Sequence, residues 1–347
     1  MSTRIPRRRA MAGLGLLTGG SLLPRAARAD LDALESAARK EGTLTWYTAQ
    51  MSGEVAEAMG KRFTARYPGI QVVVIRTTGQ VAYERLLQEL KNKTPQCDVF
   101  SSTDIAHYPA LKARNALAHY EPVNAGAMAP LFHGLGEDGF YYPVIASLQG
   151  MIYRNDKVTG ADIPRRLTDL LDPKWKNQIA TGHPAFSGYF GQFVVAVTKL
   201  YGWEYFEKLA KNNPRIGRSA GDPITLLNAG ECMAGFSAAS VTLQSAEHGN
   251  PIGFVYAEDG TLLTVGPSAV LAQAPSPNAG RLFLEWLLSP EFAAASAREH
   301  MVPVRADGPP MLGGRPLTDV KLLTLTTAEI AKGIPDVVEQ WRDTFGN

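Results

Sequence analysis

Twice in this sequence two extended stretches follow one another with no helix between them, at residues 140–144 with 149–153 and at 262–265 with 268–273, while elsewhere strand-like and helix-like runs alternate. Alternation predicts an α/β sheet with helices on both faces. The paired extended stretches predict two places where the chain crosses from one α/β unit into another. The first block reads as a helix with Leu31, Leu34 and Ala38 on one face, a strand at 43–48, and a helix carrying Val55, Met59 and Phe63. A strand at 70–75, apolar enough to be buried on both faces, a helix at 81–91, a short strand at 98–101 and a helix at 105–113 complete it. The second block reads as a helix at 191–211, strands at 233–237 and 253–256, and a helix at 240–248. Two helices then start near Pro277 and Pro290, where proline in the first turn costs no hydrogen bond. The expected units are residues 30–139 with 264–304, and residues 140–263 with 308–347, the last carrying Val337, Val338 and Trp341 at helical spacing.

Residues 1–29 read as an export signal. Arg7, Arg8 and Arg9 precede an apolar stretch diluted by Gly13, Gly15, Gly19 and Gly20 and too short to span a bilayer; Ala27-Arg28-Ala29 then offers small residues for cleavage after Ala29. Paired arginines before a weakly apolar run resemble the twin-arginine signal of bacteria, an ordinary secretion signal being the alternative. The whole chain carries 35 basic and 33 acidic residues, but six arginines lie in the signal, so the chain from Asp30 has 29 against 33, a balance of −4. The basic pI therefore belongs to the removed segment, and neither nucleic acid nor an anionic membrane is an expected partner.

Only Cys97 and Cys232 are present, too few for a disulfide framework and without histidine neighbours at zinc-site spacing; both are expected as buried free thiols. No catalytic constellation survives inspection. Gly235-Phe236-Ser237 begins like a nucleophile elbow but continues Ala238-Ala239, and Glu299-His300 has no second histidine at helical spacing. Three strand-to-helix turns are instead rich in hydroxyls and amides: Thr48 to Ser52 with Gln50, Ser101-Ser102-Thr103, and Phe186-Ser187-Gly188; Arg218-Ser219 opens a fourth. Such turns sit at the carboxyl ends of strands, where open α/β sheets bind ligands and helix N-termini favour anions. Helix capping is the local alternative for each hydroxyl. The expected ligand-binding residues are Thr48, Gln50, Ser102, Thr103, Ser187, Gly188, Arg218 and Ser219, with no metal ligands, no catalytic residues and no cofactor.

The strand and turn at 44–50, the segment 95–100, Asp172-Pro173-Lys174-Trp175-Lys176, the turn His183 to Gly188, Ala229-Gly230-Glu231, the segment 256–261 and the helix pair entered at 279–291 together resemble the extracellular solute-binding proteins of bacterial importers, most of all the ferric-ion-binding branch. The resemblance covers nearly all of the chain beyond residue 29. It implies an α/β, two-lobed periplasmic-binding-protein fold of the type II, Venus-flytrap kind with two hinge-crossing strands. It also implies a small-molecule solute held in the interlobe cleft, delivery to an ABC permease in the inner membrane, a monomer in the periplasm, and no catalysis.

The iron pattern itself is broken. Iron-binding members resemble one another in an adjacent tyrosine pair, and the matching stretch here, Ser237 to Gln244, contains no tyrosine; Met51 stands where many carry histidine. Hard ferric iron wants anionic oxygen ligands. Tyr141-Tyr142 does not replace the pair, because neighbours on a strand point to opposite faces. A small anionic solute bearing carboxylate or phosphate is therefore expected, with Arg218→Ala costing at least about tenfold in affinity. Ferric transport, or a secreted enzyme or sensor on the same scaffold, are the alternatives.

Overall fold

The computed structural model describes residues 25–137 and 139–346. The chain opens with α1 (Arg25–Glu41), β1 (Thr43–Thr48), α2 (Gly53–Arg66), β2 (Gln71–Arg76), α3 (Gly79–Asn92), β3 (Val99–Ser101) and α4 (His107–Ala113). It crosses on β4 (Tyr142–Arg154) to β5 (Ile179–Thr181), α5 (Gly188–Tyr201), α6 (Glu204–Ala210), β6 (Arg215–Ile216), α7 (Gly221–Asn228), β7 (Ala234–Ala238), α8 (Ala239–Glu247) and β8 (Ile252–Val255). It returns on β9 (Thr261–Val270) to α9 (Pro277–Leu287), α10 (Pro290–Arg298) and β10 (Val302–Pro303), and ends with β11 (Leu322–Leu323) and α11 (Thr327–Phe345). Most of the export signal lies outside the described residues. The cleavage point after Ala29 falls inside α1.

The strands run in the order β2-β1-β3-β9-β4-β7-β5-β6. Parallel pairing joins β1 to β2 and β3 on one side and β5 to β6 and β7 on the other. Between them β4 and β9 lie antiparallel, from Tyr142 opposite Ser268 to Gln149 opposite Leu262. Each crossing expected as two pieces is one strand. Because β4 is buried up to Ile152 and β9 throughout, no polar alternation marks their middles, and β4's register shift between Pro143 and Ile145 adds a further break in pattern. The segment 191–211 divides into α5 and α6 at Gly202 and Trp203. Strand β2 pairs with β1 alone among the described strands, so it is an edge strand and not buried on both faces; Val73 is 47% exposed.

Two aromatic clusters anchor the helices. Phe63 and Trp46 pack edge-on against Phe283, which stacks on Trp286, tying α2 and β1 to α9. On the other side Trp341 of α11 meets Phe190 and Phe206 edge-on, while Phe193 reaches Phe236 of β7. Each such pair contributes about 0.5–1.5 kcal/mol beyond its area burial. Both cysteines are buried and free. Local capping follows sequence: Ser289 Oγ accepts from Phe292 N at 3.2 Å and Pro290 occupies the first turn of α10. Ser289→Ala is expected to lower stability by about 1 kcal/mol in denaturant unfolding while leaving ligand affinity unchanged.

Candidate ligand-binding cleft

Five helices begin at one cavity of about 250 Å³. From the first half of the sheet come the turns after β1, β2 and β3, contributing Gln50 to Gly53, Arg76, Thr78, Gly79 and Thr103. Facing them are Phe186, Ser187 and Tyr189 at the start of α5, Ser219 to Gly221 at the start of α7, and Ala238, Ser240 and Val241 at the start of α8. Neither Asp nor Glu lines it, and Arg76 is its charged residue. Each helix start presents unpaired backbone N–H groups and partial positive charge, an effect worth about 0.3–1 kcal/mol for a nearby anion.

Some of these starts are closed by their own side chains. Ser52 Oγ accepts from Val55 N and Ser187 Oγ from Phe190 N, both at 3.3 Å, so these serines act as caps. Thr78 caps α3 by position but its hydroxyl makes no capping bond, and α8 opens with Ala238, which has none to offer. Among the described residues the buried Oγ1 atoms of Thr78 and Thr103, Oε1 of Gln50 and the hydroxyl of Tyr189 have no hydrogen-bond partner. Buried polar atoms left unpaired are costly, and these four belong to residues that line one cavity.

Arg76 reaches the cavity from the end of β2. Its Nε donates to Met51 O at 3.0 Å, and the residue lines the cleft. Burial among the walls lowers its pKa, an effect that the Asp222 carboxylate opposes, and arginine stays protonated. Tyr189 is buried, and burial pushes its phenol well above the ordinary range, making it a neutral hydrogen-bonding group.

Of the eight residues expected to bind ligand, Gln50, Thr103, Ser187 and Ser219 line the cavity. The other four stand beside it. Thr48 is fully buried and its Oγ1 receives Gln50 N at 3.4 Å. Ser102 Oγ accepts from Asp104 N and bonds His107 Nδ1 at 2.8 Å. Gly188 lies against the opposite wall. A β-carbon built there would stand 2.6–2.7 Å from N, Cα and Cβ of Asp104, so only glycine lets the two sides meet. Gln192 Nε2 donates to Thr103 O at 2.9 Å along the same seam. Arg218 stacks its guanidinium 4.4 Å from the centroid of Phe186, while Asp222 accepts from the backbone of Arg218 and Ser219.

Sequence reasoning passed over Arg76, Thr78, Tyr189 and Ser240. Arg76-Thr77-Thr78-Gly79 joins an expected strand to an expected helix, so the rule that selected the other turns applies to it equally. Tyr141 and Tyr142 are inside the protein: Tyr141 stacks on Tyr108, and the Tyr142 hydroxyl accepts from Gly139 N at 2.6 Å. No group of three or more His, Cys, Asp or Glu capable of holding a metal ion occurs among the described residues.

Two α/β lobes joined by crossing strands, with helix N-termini converging between them, define a ligand-binding protein of the type II periplasmic class. The chain belongs to the bacterial extracellular solute-binding proteins, whose family model matches residues 95–322. It is 28% identical over 304 residues to the major ferric iron-binding protein of Neisseria meningitidis, covering 80% of this chain and 83% of that one. Among solved structures it is similar to the periplasmic binding protein AfuA from Actinobacillus pleuropneumoniae with fructose-6-phosphate bound, at 21% identity and a TM-score of 0.80 over 88% of this chain and 99% of that one. Iron-bound HitA from Pseudomonas aeruginosa gives 23% identity and a TM-score of 0.73 over 87% and 99%. No described helix is long and apolar enough to cross a membrane.

Proposed function

We propose that this protein is the binding component of an ABC importer that captures a small organic anion, bearing carboxylate or phosphate, and hands it to an inner-membrane permease. The observation that carries this reading is the make-up of the cleft: five helix starts and Arg76 converge on it, and no acidic side chain lines it. AfuA, with its sugar phosphate, supports the same class of ligand. The working ligand set is Gln50, Arg76, Thr78, Thr103, Tyr189 and Ser219, with Arg76 in the role expected of Arg218. Ferric iron, which the curated relatives are named for, fits this cleft poorly, because one neutral tyrosine is the sole phenol in its lining.

The protein works as an exported monomer, without catalysis. Residues 1–29 direct export to the periplasm, and residues 30–139 with 264–304 and 140–263 with 308–347 move as lobes about β4 and β9. The contacts of Gly188 with Asp104 and of Gln192 with Thr103 belong to the closed state, which a bridging ligand favours. Native mass spectrometry of the protein purified from its own periplasm is expected to retain a small anion, and adding that anion to stripped protein should shrink the radius of gyration in X-ray scattering. Recovery of a cation or of iron, or an unchanged radius at saturation, would count against the reading.

A further inference from the structure

The ligand's anionic group accounts for the donors of the cleft, but one unpartnered atom of its lining, Gln50 Oε1, can only accept. Gln50 is 5% exposed, and its side-chain amide is held in one orientation: Nε2 donates to Pro267 O at 2.6 Å and to Ser102 O at 3.2 Å. Both partners are carbonyls, which only accept, so the amide cannot be reversed and both of its N–H groups are committed. Oε1 is thereby fixed as a buried acceptor without a protein partner, on a residue that lines the cavity. The Tyr189 hydroxyl is likewise buried and unpartnered, and it approaches the Gln50 side chain across Gly266. A β-carbon built at Gly266 would meet Gln50 Cδ at 2.7 Å and the Tyr189 hydroxyl oxygen at 2.8 Å, so the glycine in the crossing strand is what lets the two side chains converge.

From this we infer that the ligand carries a hydrogen-bond donor, a hydroxyl or an amine, set apart from its anionic group and placed against Gln50 Oε1. The ligand class narrows to hydroxy- or amino-substituted organic anions of a few carbon atoms. Inorganic phosphate and plain alkyl phosphates or carboxylates fall outside it. The inference rests on the anionic reading above and adds a second recognition point. A site built to bond a hydroxyl rejects the analogue lacking it, because the buried acceptor is then left desolvated and unpaired.

Calorimetry on the full chain with matched pairs tests this: glycerol 3-phosphate against propyl phosphate, and lactate against propionate, with inorganic phosphate alongside. In each pair that binds, the hydroxylated member is expected to bind at least about tenfold tighter, and in Gln50→Met the two members are expected to bind alike. Because Gln50→Met also removes the bonds to Ser102 and Pro267, circular dichroism must first show it folded; if it is not, the wild-type pairs decide the matter alone. Equal affinities within pairs in the wild type, tightest binding of inorganic phosphate, or discrimination that persists in folded Gln50→Met would overturn the inference. If none of these anions binds, the anionic reading itself fails, and this inference with it.

Discussion

Arg76→Ala weakens binding of the natural solute by about 1.5–3 kcal/mol, or roughly ten- to hundredfold, and leaves the unfolding midpoint close to wild type. The reasoning is local. Arg76 is the charged group lining the cleft, and within the protein its one bond there is from Nε to Met51 O, which an exposed edge strand can give up to water. A parallel measurement sharpens the expectation: Arg218→Ala should cost much less, since its guanidinium lies on Phe186 and the loop it begins is held by Asp222. Calorimetry with the copurified solute decides between them, and a larger loss at Arg218 than at Arg76 would return the binding role to Arg218.

Gly188→Val is expected to lower affinity by a comparable or larger factor through a different route. The added side chain would start 2.6–2.7 Å from three Asp104 atoms, two of them backbone, which cannot move aside as a flexible side chain would. Overpacking of this kind costs about 1–3 kcal/mol, and here it falls on the closed state alone. The variant should therefore fold normally, bind weakly and show no reduction in scattering radius with solute. Wild-type affinity in Gly188→Val would mean that the Asp104 contact is not part of the bound state.

How much of this was legible in the sequence depended on whether a segment carried a pattern. Strand β1 and the starts of helices α9 and α10 were readable because β-branched and aromatic residues filled the strand and prolines opened the helices. The crossing strands were readable as extended but not as continuous, since residues buried on both faces show no alternation. The three-residue β5 was too short to show any pattern. For the cleft, turn chemistry pointed to Gln50, Thr103, Ser187 and Ser219. Hydroxyls that bond inward, such as Thr48 and Ser102, look the same in sequence as those that face a cavity, and only the fold separates them. Arg218 was chosen and Arg76 passed over because nothing in the sequence tells an arginine stacked on a neighbouring ring from one that lines a cavity.

The ladder between β4 and β9 has a mechanical consequence. A hydrogen-bonded pair of buried strands resists stretching and sliding more than twist, so if the two halves move as proposed, rotation about this ladder is the expected motion. On the closure proposed above, the ladder would return the five helix starts to the same mutual positions each time.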